Sequence, residues 1–264
     1  MKADLKALRA ELLRLERVVV AFSGGTDSAF LAWVATDTLG PRNVTCITAV
    51  SPSLAESELI DCNELAKEWG LQWLTVETNE MESAAYRVND GDRCYHCKSA
   101  LMDVTEPIAR AAQGVVLLGV NVDDLGDHRP GQNAAAERDA QFPLVVAGYT
   151  KQDVREHSRV LGLRTWDKPA AACLASRIPY GTAVTVSLLR RVDRAESALK
   201  QMGFCQLRVR DYDSIARLEF EVDDLPVVIE QREKIVKSMK RLGYEYVTID
   251  LEGFRSGNLN QGLL

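Results

Sequence analysis

An unbroken apolar run, Val18-Val19-Val20-Ala21-Phe22, passes directly into Ser23-Gly24-Gly25-Thr26-Asp27-Ser28, and helical spacing then continues to Leu39. A run apolar at every position is the pattern of a parallel strand buried on both faces. Strand, glycine turn and helix in that order put the turn where helix N–H groups and the positive dipole end face an incoming anion. Gly24 and Gly25 let the backbone approach that anion closely, and Ser23, Thr26 and Ser28 add hydroxyl donors. Asp27 either caps the helix or holds a cation that bridges phosphates. Glycine turns with a Ser/Asp cap are common in α/β proteins. This one packs three hydroxyls and a carboxylate into six residues after the first buried strand. It lacks the Gly-Lys-Ser/Thr ending of a Walker loop.

The rhythm around the loop fixes the fold class. Leu5, Leu8, Leu12 and Leu15 predict an amphipathic opening helix. Strands are expected over Val44–Val50, Leu71–Val76 and Val115–Val120, with helices over Leu54–Trp69 and Lys98–Ala112. Such β-α alternation predicts an α/β fold, a parallel sheet with helices on both faces. The last third differs. A helix over Ser187–Met202, strands over Cys205–Arg210 and Ile215–Glu221, a helix over Val227–Leu242 and a strand over Tyr246–Leu251 predict a small α+β domain. The division expected is residues 1–180 for the loop-bearing domain and 181–264 for the αββαβ domain.

Charge and cysteine usage limit the function classes. With 32 Lys+Arg against 38 Asp+Glu the net charge is −6, which does not suit a non-specific nucleic-acid coat. No apolar run approaches a membrane span. The opening Met1-Lys2-Ala3-Asp4 predicts no signal peptide, so a cytoplasmic protein with reduced thiols is expected. Cys46, Cys62 and Cys205 read as core. Cys94-Tyr95-His96-Cys97 does not, because it follows a polar stretch and leads into a helix, whose dipole favours thiolates. One Cys-x-x-Cys cannot complete a tetrahedral zinc site. Cys173, in a loop of small residues and prolines, is the candidate third ligand. Three cysteines without a clear fourth ligand fit a [4Fe–4S] cluster with one open iron. His96, His128 and His157 are the alternatives for a zinc site.

The hexapeptide Ser23–Ser28 resembles the signature of the PP-loop ATP pyrophosphatases, enzymes that cleave ATP between the α- and β-phosphates and adenylate a substrate oxygen. That resemblance implies that Ser23, Gly24, Gly25, Thr26, Asp27 and Ser28 hold pyrophosphate and Mg²⁺, with adenine near Thr48–Ser51. Further motifs narrow it: Arg93–Lys98, Gly119–Gly131, Trp166–Pro169, Cys173–Gly181 and Leu251–Gly257. Together they resemble, over nearly the whole chain, the ATP-dependent sulfur transferases that build the nickel-pincer nucleotide cofactor of lactate racemase. Members adenylate a carboxylate of pyridinium-3,5-biscarboxylic acid mononucleotide and replace oxygen with sulfur. One branch sacrifices a single cysteine, matched here by Cys173. A second carries three cysteines and a [4Fe–4S] cluster, and the arrangement of Cys94, Cys97 and Cys173 resembles it.

The resemblance gives the other residues expected roles. Lys98 and Arg177, beside the thiols, would neutralise a phosphorylated dicarboxylate substrate. Asp123, Asp124 and Asp127 follow the fourth strand, where α/β sheets bind ligands, although an acidic surface turn explains them equally. Arg208 and Arg210 share a strand face and could jointly hold a phosphate; a solvated strand face explains them nearly as well. Glu196 and Asp223 carry a weaker signal. The expected cofactors are ATP, Mg²⁺ and the cluster. The expected partner is a small nucleotide substrate, with no nucleic acid and no membrane, in a homo-oligomer that hands its product to a nickel-inserting enzyme. A cluster-dependent tRNA thiolase is the rival, and would be expected to show a basic surface. An ammonia-using synthetase would have no need of the three thiols.

Overall fold

Asp4 caps the first helix by accepting a hydrogen bond from the Lys6 amide, and the leucine stripe then buries Leu8 and Leu12. The structure is a computed structural model, and it describes residues 3–126, 130–169 and 171–255. The elements begin α1 (Leu5–Leu15), β1 (Val18–Ala21), α2 (Thr26–Leu39), β2 (Val44–Val50), α3 (Glu56–Trp69) and β3 (Trp73–Glu77). They continue with α4 (Ala84–Val88), α5 (Arg93–Ala111), β4 (Val115–Leu117), α6 (Pro130–Ala136), α7 (Pro143–Val146) and α8 (Lys151–Val160). The last are α9 (Val186–Lys200), β5 (Leu207–Tyr212), β6 (Ile215–Phe220), α10 (Leu225–Glu230), α11 (Arg232–Arg241) and β7 (Tyr246–Ile249). Contacts divide the chain into two units. One comprises the residues up to Ser51, Ser57–Ser83 and Asp92–Ala171; the other comprises Pro52–Glu56, Ala84–Gly91 and the chain from Ala172 onward.

In the first unit four parallel strands lie in the order β3-β2-β1-β4, with Val20 of β1 opposite both Cys46 and Leu117. Alternation along β1 serves both faces of the sheet. Val18, Val20 and Phe22 pack with Leu8, Phe30, Leu65 and Val154, whereas Val19 packs with Ile47, Met102 and Val116. The fold class is as expected, a parallel α/β sheet with the glycine loop at the carboxyl end of a central strand. Two boundaries move by three residues or more. Strand β4 stops at Leu117, where Leu118 turns its amide to Gln141, and α5 starts at Arg93 rather than Lys98. The second shift places all of Cys94–Cys97 within the first turn and a half of a helix.

The second unit has a three-stranded sheet in which β5 and β6 are antiparallel and β6 and β7 parallel. Helices α9 and α11 contribute Ala195, Leu199, Ile235 and Met239 to a core with Val209, Leu218, Phe220 and Tyr244. The single helix expected over Val227–Leu242 is two, broken at Gln231 (φ −86°, ψ 7°). Cys205 was expected in the core. It is exposed, because β5 begins two residues later at Leu207. The solvated strand face, the alternative for Arg208 and Arg210, is not found: both are buried.

Candidate active site

The loop after β1 is held from inside and outside. Ser28 Oγ reaches the Ser23 amide at 3.2 Å, Ser23 Oγ at 3.0 Å and the Gly25 carbonyl at 3.1 Å, which closes the turn on itself. Gly24 has φ +68°, and a Cβ there would stand 2.9 Å from Cys62 Sγ, so conformation and space both require glycine. Gly119, just beyond β4, lies against the start of α2. A Cβ on it would meet the Ser28 amide nitrogen at 2.7 Å and the Asp27 carbonyl carbon at 2.9 Å. Thr48, expected near adenine, is buried and spent on structure. Its hydroxyl donates to the Phe22 carbonyl at 2.6 Å and accepts from the Trp73 indole at 2.8 Å.

Two lysines to which the motifs gave no role, Lys168 of Trp166–Pro169 and Lys151, grip this loop. Lys168 Nζ donates to Glu58 (2.8 Å), Asp61 (2.6 Å) and the Gly24 carbonyl (3.2 Å), using all three ammonium protons. Its own carbonyl accepts from Thr26 Oγ1 at 3.3 Å. Lys151 Nζ lies 2.5 Å from Asp27 Oδ2, while Asn121 Nδ2 donates to Asp27 Oδ1 at 3.2 Å. The expected acidic turn joins the same network. Asp123 Oδ2 accepts from the Lys151 amide at 2.8 Å, and Asp124 Oδ2 from the Asn121 amide at 3.0 Å. Asp127 and His128 lie outside the described residues, as do Ser256 and Gly257 of the C-terminal motif. An ammonium on the Asp27 carboxylate marks a place where positive charge is favourable, and carboxylate oxygen is the donor type that Mg²⁺ takes, one or two at a time beside phosphates.

The cysteines sort by exposure. Cys46 and Cys62 are buried, and burial pushes their thiols up to about 12 and about 11 respectively. Cys94 is exposed and Cys97 half-buried, one helical turn apart at the N-terminus of α5, with half-buried Lys98 following. Cys173, in the second unit, is exposed. Cys205 is exposed as well; the thiols of Cys94, Cys97 and Cys173 match an iron–sulfur cluster in donor type. Among the described residues, however, no group of three or more His, Cys, Asp or Glu is assembled for a metal ion.

Buried charge surrounds the Cys173 turn within the second unit. Arg177 makes a two-pronged pair with Glu196 (2.8 and 2.9 Å) and donates to the carbonyls of Ala172 and Cys173 at 2.6 and 3.1 Å. Arg210 pairs in the same way with Glu219, at 2.9 Å for both bonds, and donates to the Ser176 carbonyl at 2.6 Å. Arg208 lies over the Phe254 ring, 5.1 Å from its centroid. Burial first, then the charges of Arg177 and Arg210, push Arg208 down to about 10. A guanidinium so placed gains from a nearby anion.

A protein-family model described as NAD synthase matches residues 6–102. The chain is 44% identical to an uncharacterised protein of Synechocystis sp., over 100% of this chain and 99% of that one. It is 35% identical to the pyridinium-3,5-bisthiocarboxylic acid mononucleotide synthase of Lactiplantibacillus plantarum, over 97% of this chain and 93% of that one. Identity to a glutamine-dependent NAD(+) synthetase of Rhodobacter capsulatus is 34%, over 40% of this chain and 18% of that one.

Proposed function

The chain belongs to the family of pyridinium-3,5-bisthiocarboxylic acid mononucleotide synthases, sulfur transferases with a PP-loop domain, and on that premise we propose that it adenylates a carboxylate of pyridinium-3,5-biscarboxylic acid mononucleotide and replaces its oxygen with sulfur. A carboxylate oxygen attacks the α-phosphorus of ATP and pyrophosphate leaves. Hydrosulfide then adds to the acyl carbon, AMP departs with the oxygen, and loss of the remaining proton leaves a thiocarboxylate. The observation that supports the reading is the exposure of the cysteines: Cys94 and half-buried Cys97 in the first unit and Cys173 in the second are accessible, as is Cys205, whereas Cys46 and Cys62 are buried. An amide-forming synthetase has no use for accessible thiols.

In this reading Ser23–Ser28 cradle pyrophosphate, and Asp27 holds Mg²⁺ with support from Asp123 and Asp124. Arg208 and Arg210 take the substrate phosphate, and Lys98 meets a carboxylate. Arg177, neutralised by Glu196, positions the Cys173 turn through two carbonyls. We assign the sulfur to a [4Fe–4S] cluster on Cys94, Cys97 and Cys173, which would supply the inorganic sulfide when bound. The same reading makes the protein a cytoplasmic homo-oligomer that passes its product to a nickel-inserting enzyme; exposed Ile229, Tyr246 and Leu251 offer apolar area for assembly.

A second reading is favoured by the exposure of the Cys173 thiol. Here the Cys173 thiolate attacks the acyl adenylate and AMP leaves. Removal of the Cys173 Cα proton with cleavage of its Cβ–S bond then yields dehydroalanine and the thiocarboxylate. Anaerobic turnover with ATP, Mg²⁺, the dicarboxylate and sulfide tests both. Thiolated product with AMP and pyrophosphate supports the activity, and ADP as product refutes it. Repeated turnover with unchanged protein mass supports the cluster; loss of hydrogen sulfide from Cys173 in step with product establishes the sacrificial route instead.

A further inference from the structure

The sulfur-transfer reading gives the C-terminal motif Leu251–Gly257 no task. Within the second unit the chain leaves β7 at Ile249 and turns back on the end of β6. Gly253 makes the turn at φ +74°, and a Cβ there would stand 2.8 Å from Val222 Cγ2 and 2.9 Å from the Phe220 carbonyl oxygen. The next amide, that of Phe254, donates to the same carbonyl at 2.6 Å. Conformation, space and a hydrogen bond thus fix one residue, half-buried Phe254. Its ring lies under the buried Arg208 guanidinium, with Cζ 5.1 Å from the ring centroid.

We propose that Phe254 is a positioning residue for the substrate: its ring is the shelf that presents the edge of the Arg208 guanidinium to the phosphate monoester of the mononucleotide. The inference rests on the reading of Arg208 as a phosphate-binding residue. What holds the neighbouring arginines is different. Arg177 spends Nε and Nη2 on Glu196, and Arg210 spends the same two nitrogens on Glu219. A carboxylate under Arg208 would fix it as firmly, but would neutralise it and occupy two of its five donors. An aromatic face attracts the cation through its quadrupole and takes none of the donors in the guanidinium plane. Burial first, then the charges of Arg177 and Arg210, already work against the charge on Arg208 and push it down to about 10. The ring offsets part of that cost, and a bound phosphate offsets more. Arg208 Nη1 also lies 3.5 Å from Ser176 Oγ, on the turn that carries Cys173. The shelf therefore sets where the phosphate end of the substrate sits relative to that turn.

The test titrates the full chain, by calorimetry, with pyridinium-3,5-biscarboxylic acid mononucleotide and with the nucleoside that lacks its phosphate. Phe254→Leu keeps the apolar bulk and removes the π face. It should weaken binding of the mononucleotide about tenfold and leave binding of the nucleoside within about twofold of wild type. Phe254→Tyr, which keeps the ring, should restore mononucleotide binding. Phe254→Trp should restore it too, and its indole emission should change when inorganic phosphate is added. That change should vanish when Arg208→Gln is combined with it. A Leu variant that binds the mononucleotide like wild type overturns the proposal. So does one that loses mononucleotide and nucleoside equally, since the ring would then support the fold and not the phosphate contact. If Arg208→Gln binds the mononucleotide as wild type does, the phosphate reading of Arg208 itself fails. If Arg208→Gln loses binding while Phe254→Leu keeps it, only the role of Phe254 falls.

Discussion

Replacing Lys168 with methionine should destabilise the protein measurably, by an amount the structure sets. The substitution keeps the length of the stem and removes the ammonium. Glu58, Asp61 and the Gly24 carbonyl all lose their shared donor. Removing one partner of a buried ion pair costs about 3–5 kcal/mol, and disrupting an exposed pair about 0–1. The three side chains are 16–20% exposed, and Arg164 stays 2.7 Å from Asp61. The expected loss therefore lies between those limits, at about 2–3 kcal/mol, or roughly 5–10 °C in melting temperature. Its pH dependence is also fixed. Burial alone would raise Asp61, but hydrogen bonds and charges from Lys168 and Arg164 outweigh it and leave the carboxyl lowered from 3.8. Burial alone would lower Lys168, but Asp61 and Glu58 leave it raised from 10.5. A lowered carboxylate contributes stability above its unfolded value and loses it as pH falls through the folded one. A raised ammonium contributes below its unfolded value and loses it as pH rises through the folded one. The gap between wild type and Lys168→Met should be full from about pH 5 to 9 and shrink below about pH 4. Urea denaturation at neutral pH and at about pH 3 measures it. A neutral-pH difference under about 0.5 kcal/mol, or one unchanged in acid, would refute the reasoning.

Three further outcomes are expected. Asp27→Asn should abolish formation of AMP and pyrophosphate while leaving the circular dichroism spectrum intact, because Asp27 supplies charge to the site and packs in no core. Gly119→Ala should cost about 1–3 kcal/mol and weaken ATP binding, since its Cβ would press on the backbone at Asp27 and Ser28; a variant that binds ATP normally would contradict the close approach. Cys94→Ala, Cys97→Ala and Cys173→Ala should each remove most of the iron from anaerobically prepared protein, and Cys46→Ala, Cys62→Ala and Cys205→Ala should not. Equal iron in all six would dismiss the cluster.

The first unit was readable in the sequence because burial on both sides of a parallel sheet leaves an unmistakable run. Val18–Phe22 has no other home, and Val44–Val50 is recognisable as a strand from its β-branched residues. The stretch from Asn121 to Pro169 was not readable. Its helices α6 and α7 are short, and α8 buries only Val154 and Ser158, too narrow a stripe for hydrophobic spacing to reveal. The signal for α8 was a different one, Thr150 followed three residues later by Asp153, a helix-opening cap. Gln231 divides a helix that apolar spacing reads as continuous, since α10 and α11 each present their own residues, Val228 and then Ile235 and Met239, to one core.

At the candidate site the divide between legible and illegible follows sequence distance. The atoms that contact phosphate must sit together on one turn, so Ser23–Ser28 carry their own signature. The groups that hold that turn need not be near it in sequence. Lys151 reaches Asp27 across 124 positions and Lys168 reaches Gly24 across 144, and nothing in either lysine's neighbourhood specifies a partner so far away. The arginines make the same point from the other side. Arg208 and Arg210 alternate on β5 as a solvated face would, and Glu219, which neutralises Arg210, lies on the adjacent strand β6. A strand carrying charges on one face is solvent-exposed only if no opposite charges meet it. Whether they do is decided by pairing register, which the sequence of one strand does not contain.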